Sequence, residues 1–205
     1  MKALSYLIIV LLTPTLLLLN FRFLVFNQSY YQNQFKKLNV YQTIDENIAI
    51  AQSNKLIAYL CCNKELDAKF YTQREKDHLK DVKSIIQRVN YQLYINLFAL
   101  LTIAFILTVN KKKNLLQEGT KQASVFGLMA MFLLFVASIF NFELFLVKFH
   151  QVTFANDYWL LPQNSNLINL FPQEFFVNFA NRIAFQTVLM LTALLLITQK
   201  ISKKA

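Results

Sequence analysis

The sequence predicts an all-α integral membrane protein, a bundle of four transmembrane helices with an extracytoplasmic, mostly helical domain and an interfacial loop. Three observations predict it. Four apolar runs are each long enough to cross a hydrocarbon core, which needs about 20 residues of helix. The composition is 56% hydrophobic with 20 phenylalanines and a mean hydropathy of +0.36, well above soluble norms. The basic residues also gather beside those runs in a sided pattern. Two glycines, three prolines and no internal repeat or low-complexity tract leave no sign of a flexible linker, so 1–205 reads as one membrane domain.

The first span covers 3–26 and contains LSYLIIVLLTPTLLLLNF. Lys2 gives it the basic start of a signal peptide, but no small-x-small site follows and the run is too long, so an uncleaved signal-anchor is expected. Pro14 is expected to kink it, which a bundle tolerates where neighbours satisfy the freed carbonyl. The second span covers 92–109, the third 124–147 and the fourth 176–198.

Lys2, then Lys111, Lys112, Lys113 and Lys121, then Lys200, Lys203 and Lys204 fall on one side, opposed only by Glu118. By the positive-inside rule both termini and the 110–122 loop are cytoplasmic, and 27–91 and 148–175 are outside. Much of the +10 net charge is therefore topology. No interleaving of aromatic and basic residues suggests nucleic-acid binding. The chain's two histidines, His78 and His150, both fall outside.

The long outer segment carries ten Lys or Arg and seven Asp or Glu, interspersed as on a folded, solvated face. Thr43 to Leu60 reads as a helix with a Thr cap. Glu65 to Tyr91 reads as a second, with His78, Val82, Ile85 and Val89 on one stripe. Glu75 at i−3 lies beside His78 and Asp81 at i+3 lies at the edge of the stripe. This gives an imidazole with a carboxylate one turn away, an arrangement that can fix a tautomer and hold a proton. A core histidine bonded to a neighbour is the plainer account. Cys61 and Cys62 are adjacent, so a bond between them needs a strained ring, and no cationic motif marks either thiol as activated.

The second outer segment, 148–175, alternates aromatic anchors (Phe149, Phe154, Tyr158, Trp159, Phe171, Phe175) with Asn156, Asp157, Asn164, Asn166 and Glu174. It suits a loop lying on or dipping into the outer leaflet, although an ordinary aromatic belt has similar chemistry. Near the outer ends of the third and fourth spans lie Asn141, Glu143, Asn178, Asn181, Arg182 and Gln186. Arg182 is expected to pair with Glu143 or Glu174, or to snorkel to the surface.

Familiar site types are absent. There is no HExxH, and two histidines make a thin metal site. There is no GxSxG or P-loop, and Ser84 projects away from His78 on the inferred helix. Two outer histidines are the sole feature a haem would find. Acid-base chemistry at the outer membrane surface is left, with lipid as the natural substrate.

Two motifs narrow this. Glu75-Lys76-Asp77-His78-Leu79-Lys80-Asp81-Val82-Lys83 resembles the E-x-x-H-[LM]-x-D-V-K signature of the lipoprotein intramolecular transacylase (Lit) family. Phe149-His150-Gln151-Val152-Thr153-Phe154-Ala155-Asn156-Asp157-Tyr158-Trp159, with Leu167-Ile168 and Phe171-Pro172-Gln173-Glu174-Phe175-Phe176, is similar to that family's F-H-x-[IV]-x-F-x-N-D-x-W…L-I…F-P-x-x-F-F stretch. The four-span layout matches too. Leu161 and Asn166 stand where the family pattern has acidic residues, so no carboxylate role transfers to those positions.

The resemblance implies a bacterial plasma-membrane acyltransferase without cofactor or metal, acting on diacylated lipoproteins. It implies transfer of the sn-2 acyl chain of a diacylglyceryl-cysteine to that cysteine's α-amine, giving the lyso form. His78 is expected as principal base, oriented by Glu75, and His150 as second acid-base group or carbonyl polariser. Asp81, Asp157 and Trp159 are expected to support the site, and Asn156 and Arg182 to hold the oxyanion. The reaction and the Lys/Asn/Ile/Phe-rich composition suggest a Gram-positive host. Other classes keep a place: a non-enzymatic immunity or sensor protein, an outer-face histidine metal or haem binder, or a covalent route through Cys61, Cys62 or a serine.

Overall fold

The computed structural model describes residues 1–62, 64–67, 69–140 and 142–202, with backbone alone over 137–140. Asn141, Lys203 and Lys204 of the sequence reading lie outside the described residues. The helices are α1 (Lys2–Val25), α2 (Gln28–Lys37), α3 (Glu46–Cys62), α4 (Gln73–Val109), α5 (Lys113–Phe140), α6 (Phe142–Thr153), α7 (Asn166–Leu170) and α8 (Gln173–Ser202), with a 3-10 turn at Val40–Gln42. No strand occurs among the described residues. Four helices, α1, α4, α5 and α8, are long and apolar enough to cross a membrane. Their outward faces carry large apolar side chains such as Phe98, Phe105, Phe132 and Phe185 in the open, which lipid accommodates and water does not. The all-α, four-span expectation is met.

The chain divides into two compact units. The first is Met1–Phe21, Val89–Phe140 and Arg182–Ala205. Its helices approach closely at the chain's only two glycines, both on α5. A Cβ at Gly119 would stand 2.7 Å from Ser5 Oγ, and one at Gly127 would stand 2.9 Å from a Leu191 methyl. Small residues at such crossings let helices pack in the absence of a hydrophobic drive between them. Polar bonds add to this: Ser5 Oγ donates to Leu115 O at 2.9 Å and Asn20 Nδ2 donates to Thr187 Oγ1 at 3.0 Å. Ile8, Ile103, Leu107 and Ala123 form a buried apolar cluster. α1 runs unbroken through Pro14.

The second unit is Arg22–Arg88 and Asn141–Asn181. Short polar residues punctuate it. Asn27 caps α2 by accepting from Tyr30 N, and Asn39, with φ of 57°, turns the chain after it. The predicted Thr43 cap of α3 is supplied by Asp45 instead. Its carboxylate accepts from Asn47 N and Ile48 N at 3.0 and 3.2 Å, and its charge also suits the helix N-terminus. Between α3 and α4, Asp67 accepts from Gln52 Nε2 at 3.0 Å and pairs with Lys55 Nζ at 2.7 Å. These partners hold its carboxyl far below the usual carboxylate range. The core is aromatic: Phe171 and Phe175 rings lie 5.0 Å apart, Tyr31 and Phe175 5.3 Å, Phe35 and Phe171 5.5 Å.

α4 is the main departure from expectation. The predicted outer helix and second span are one uninterrupted helix of 37 residues, beginning at Gln73 and not Glu65. Its charged first half, through Arg88, belongs to the second unit, and its apolar half from 92 is the spanning stretch. α2 and α6 were not distinguished in the sequence. Residues 142–147, assigned to the third span, begin α6, which has no buried residue.

Candidate active site

Both histidines lie in the second unit, His78 on α4 and His150 on α6. Their ring centroids are 6.0 Å apart and their planes differ by 32°. Phe154 packs on both, 5.2 Å from His78 and 5.4 Å from His150. Trp159 covers His150 at 4.9 Å, 34° from parallel.

The two imidazoles differ in their partners. His150 Nδ1 lies 2.7 Å from Leu146 O, one turn back on α6. A carbonyl can only accept, so the network assigns the ring hydrogen to Nδ1 and the neutral ring's lone pair to Nε2. His78 Nδ1 is buried with no hydrogen-bond partner. An orphaned lone pair costs less than an orphaned N–H, which favours the tautomer with the hydrogen on Nε2. Burial, reinforced by His150 nearby and partly offset by Asp81, lowers the His78 pKa to about 4. His78 is therefore neutral at physiological pH.

Glu75 does not orient His78. It is wholly buried, with its carboxylate spent elsewhere. One oxygen accepts from Thr72 N and Thr72 Oγ1 at 2.7 and 2.8 Å, and the other accepts from Leu167 N at 2.7 Å. Glu75 N donates in turn to Thr72 Oγ1 at 3.3 Å, closing a capping box at the start of α4. Threonine followed three residues later by glutamate is the sequence signal for this.

Asp81 accepts from Asn156 Nδ2 at 2.8 Å, while Asn156 Oδ1 accepts from Tyr158 N at 3.0 Å. Asn156 thus ties the loop to α4, and the expected oxyanion role has one amide hydrogen left to it. Asp157 lies on the same loop and lines an open cleft of about 460 Å³ together with Val147, Gln151, Phe154 and Trp159. Two of those walls, Phe154 and Trp159, are the rings packed on His150. Arg182 belongs to the first unit and is exposed. Its expected partners, Glu143 and Glu174, are residues of the second unit.

Several participants were missed. Arg74 donates from Nε to Leu160 O at 3.1 Å and from a terminal nitrogen to Asp157 O, fixing the turn that carries Trp159. Its place beside Glu75 in the first motif was the available signal. The carbonyl of Leu146 and the amide of Leu167 leave no trace in side-chain identity. Cys61 and Cys62 are disulfide-bonded to each other, against the expectation from ring strain. Among the described residues no group of three His, Cys, Asp or Glu side chains is placed to hold a metal ion.

A family model described as lipoprotein intramolecular transacylase Lit matches residues 6–176. Among solved structures, the membrane integral lipoprotein intramolecular transacylase Lit from Bacillus cereus is similar, with a TM-score of 0.85 and 20% identity over 100% of this chain and 98% of that one. Two variants of the Bacillus cereus protein with one histidine replaced match at a TM-score of 0.81 and 20% identity. The arginine variant covers 99% of this chain and 92% of its own, and the alanine variant 99% and 94%. Among curated protein sequences, none matches.

Proposed function

The chain belongs to the lipoprotein intramolecular transacylase Lit family and is an acyltransferase, and from that premise we propose that it moves the sn-2 acyl chain of a diacylglyceryl-cysteine lipoprotein to the α-amine of the same cysteine. The observation that carries the reading is the histidine pair, with Nδ1 of His150 bonded to a carbonyl and His78 held neutral.

The chemistry needs little beyond geometry and proton transfer. An α-amine with an ordinary pKa of about 7.7–8.0 is partly neutral near pH 7 and is already a nucleophile. Its nitrogen attacks the sn-2 ester carbonyl, forming the C–N bond. His150 Nε2 accepts the proton this nitrogen sheds, then delivers it to the departing glyceryl oxygen as the C–O bond breaks. Amine and ester become amide and alcohol with no net proton change. Holding donor and acceptor together replaces a bimolecular encounter, an effect worth about 7–11 kcal/mol at best.

This exchanges the roles expected from the sequence. A ring whose pKa is lowered to about 4 holds a proton poorly, so His78 suits a neutral hydrogen-bond donor to the carbonyl oxygen. His150, its tautomer fixed by Leu146 O, suits the base.

The lipid substrate is met at the leaflet surface on the extracytoplasmic side, with both termini cytoplasmic. The lysine-rich 110–122 loop and basic termini support that orientation. α6 supports the lipid contact: Phe145, Phe149 and Val152, the last 88% exposed, are exposed apolar side chains along one stripe. The test is mass spectrometry of the N-terminal lipopeptide of a lipoprotein from cells with and without the chain. Conversion to the lyso form is expected with the wild type and not with His150→Ala. Unchanged lipopeptides in every strain would end this reading.

A further inference from the structure

We propose that Arg74 is a positioning residue of the acyl-transfer site: its guanidinium straps the 157–160 turn to the first turn of α4 and so holds Trp159 against His150. The inference rests on the transacylase reading for its consequence but not for its geometry.

The turn has little to hold it of its own. Residues 154–165 lie outside any helix, and their backbone bonds near Trp159 are local, from Leu160 N to Asp157 O and from Leu161 N to Trp159 O. Two side chains of α4 tie it down. Arg74 donates to the carbonyls of Asp157 and Leu160, one on each side of Trp159. Asp81 accepts from Asn156 at 2.8 Å. On a helix, residues 74, 78 and 81 stand at i, i+4 and i+7 and share one face. The two ties therefore flank His78, and the turn they hold carries the ring that covers His150 at 4.9 Å. One stripe of α4 thus supplies one histidine and fixes the cover of the other.

The chemistry calls for arginine. Its planar fork presents several donors in fixed directions and serves two carbonyls at once, whereas a lysine ammonium is a single mobile point. Because Arg74 is exposed and its partners are neutral carbonyls, its effect on overall stability is small relative to its effect on the turn.

Trp159 is the chain's only tryptophan, so its emission reads this turn directly. The experiment uses the full chain in detergent and in vesicles: wild type, Arg74→Gln, Arg74→Lys, His150→Gln, and Lys80→Gln as an exposed control on the same helix. Emission intensity is compared at one fixed near-neutral pH, with His150→Gln as the reference for an indole that has lost the imidazole stacked on it. Conversion of a diacylated lipopeptide gives kcat and KM.

Wild type and Lys80→Gln are expected to show equal quenching by the stacked ring and His150→Gln none. Arg74→Gln should lose most of the quenching and lower kcat by roughly 10²-fold with KM little changed. Arg74→Lys should recover only part of either. Quenching and kcat both intact in Arg74→Gln overturn the proposal. So does activity lost with quenching intact, which marks a fold defect and no positioning. Quenching that depends on Arg74 in a wild type that never converts lipopeptide leaves the strap standing and ends the transacylase reading.

Discussion

Leu167 N donates to a carboxylate oxygen of Glu75 at 2.7 Å, joining the first turn of α4 to the first turn of α7 across 92 residues of sequence. The other oxygen of Glu75 closes the α4 cap on Thr72. One buried anion therefore fixes both the start of the helix that carries His78 and the segment before the Phe171 and Phe175 rings. Replacing it by alanine leaves buried N–H donors without acceptors. We expect Glu75→Ala to cost about 2–4 kcal/mol of stability, read as a lowered Tm in detergent. Glu75→Gln, which keeps one acceptor oxygen, should fall between. A Glu75→Ala protein with wild-type Tm and abolished conversion would restore the orienting role that the contacts deny it.

Exchange of the histidine roles makes the two substitutions unequal. His150→Gln removes the proton acceptor and is expected to lower kcat on the order of 10⁴-fold, the upper end for general acid-base catalysis. His78→Gln keeps a neutral N–H donor and should cost about 10²-fold or less. Equal losses, or a larger loss with His78→Gln, would return the base to α4.

The vicinal Cys61–Cys62 bond lies at the exposed end of α3, and neither cysteine makes one of the contacts described for the histidine site. A double Cys61→Ser, Cys62→Ser variant is expected to convert lipopeptide at the wild-type rate, and reductant should leave the wild type unaffected. Loss of conversion in the double variant, with Tm preserved, would favour the covalent route.

The four apolar helices and the neighbouring histidines were legible because each rests on a local or compositional signal. Hydropathy over twenty residues marks a crossing, and a motif marks His78 and His150. What was hidden rests on partners far along the chain. Nothing in the residues around Glu75 says that Leu167 will claim its second oxygen, or that the Leu160 carbonyl will meet Arg74. Helical spacing correctly set Glu75 a turn from His78, but proximity on a wheel does not decide which of several donors a carboxylate serves. The continuity of α4 was hidden for a related reason: it passes from charged to apolar with no breaking residue, so the outer helix and the spanning stretch are one.

His78 also gives a pH dependence of stability whose sign follows from its surroundings. In the unfolded chain its pKa is about 6.5, and burial lowers it to about 4 in the folded protein. Between those values the unfolded state binds a proton that the folded state does not, so acidification favours unfolding. The contribution is fully present above about pH 6.5, is lost as the pH falls toward about 4, and changes no further below that. A shift of this size corresponds to at most about 3 kcal/mol, less what partial exposure screens away. His78→Phe keeps a ring in the apolar contact with Phe154 and removes the titration. Its Tm in detergent is therefore expected to fall less than that of the wild type between about pH 7 and about pH 4. Parallel acid losses in the two proteins would mean that His78 is not held neutral by burial, and the reason for assigning the base to His150 would weaken with it.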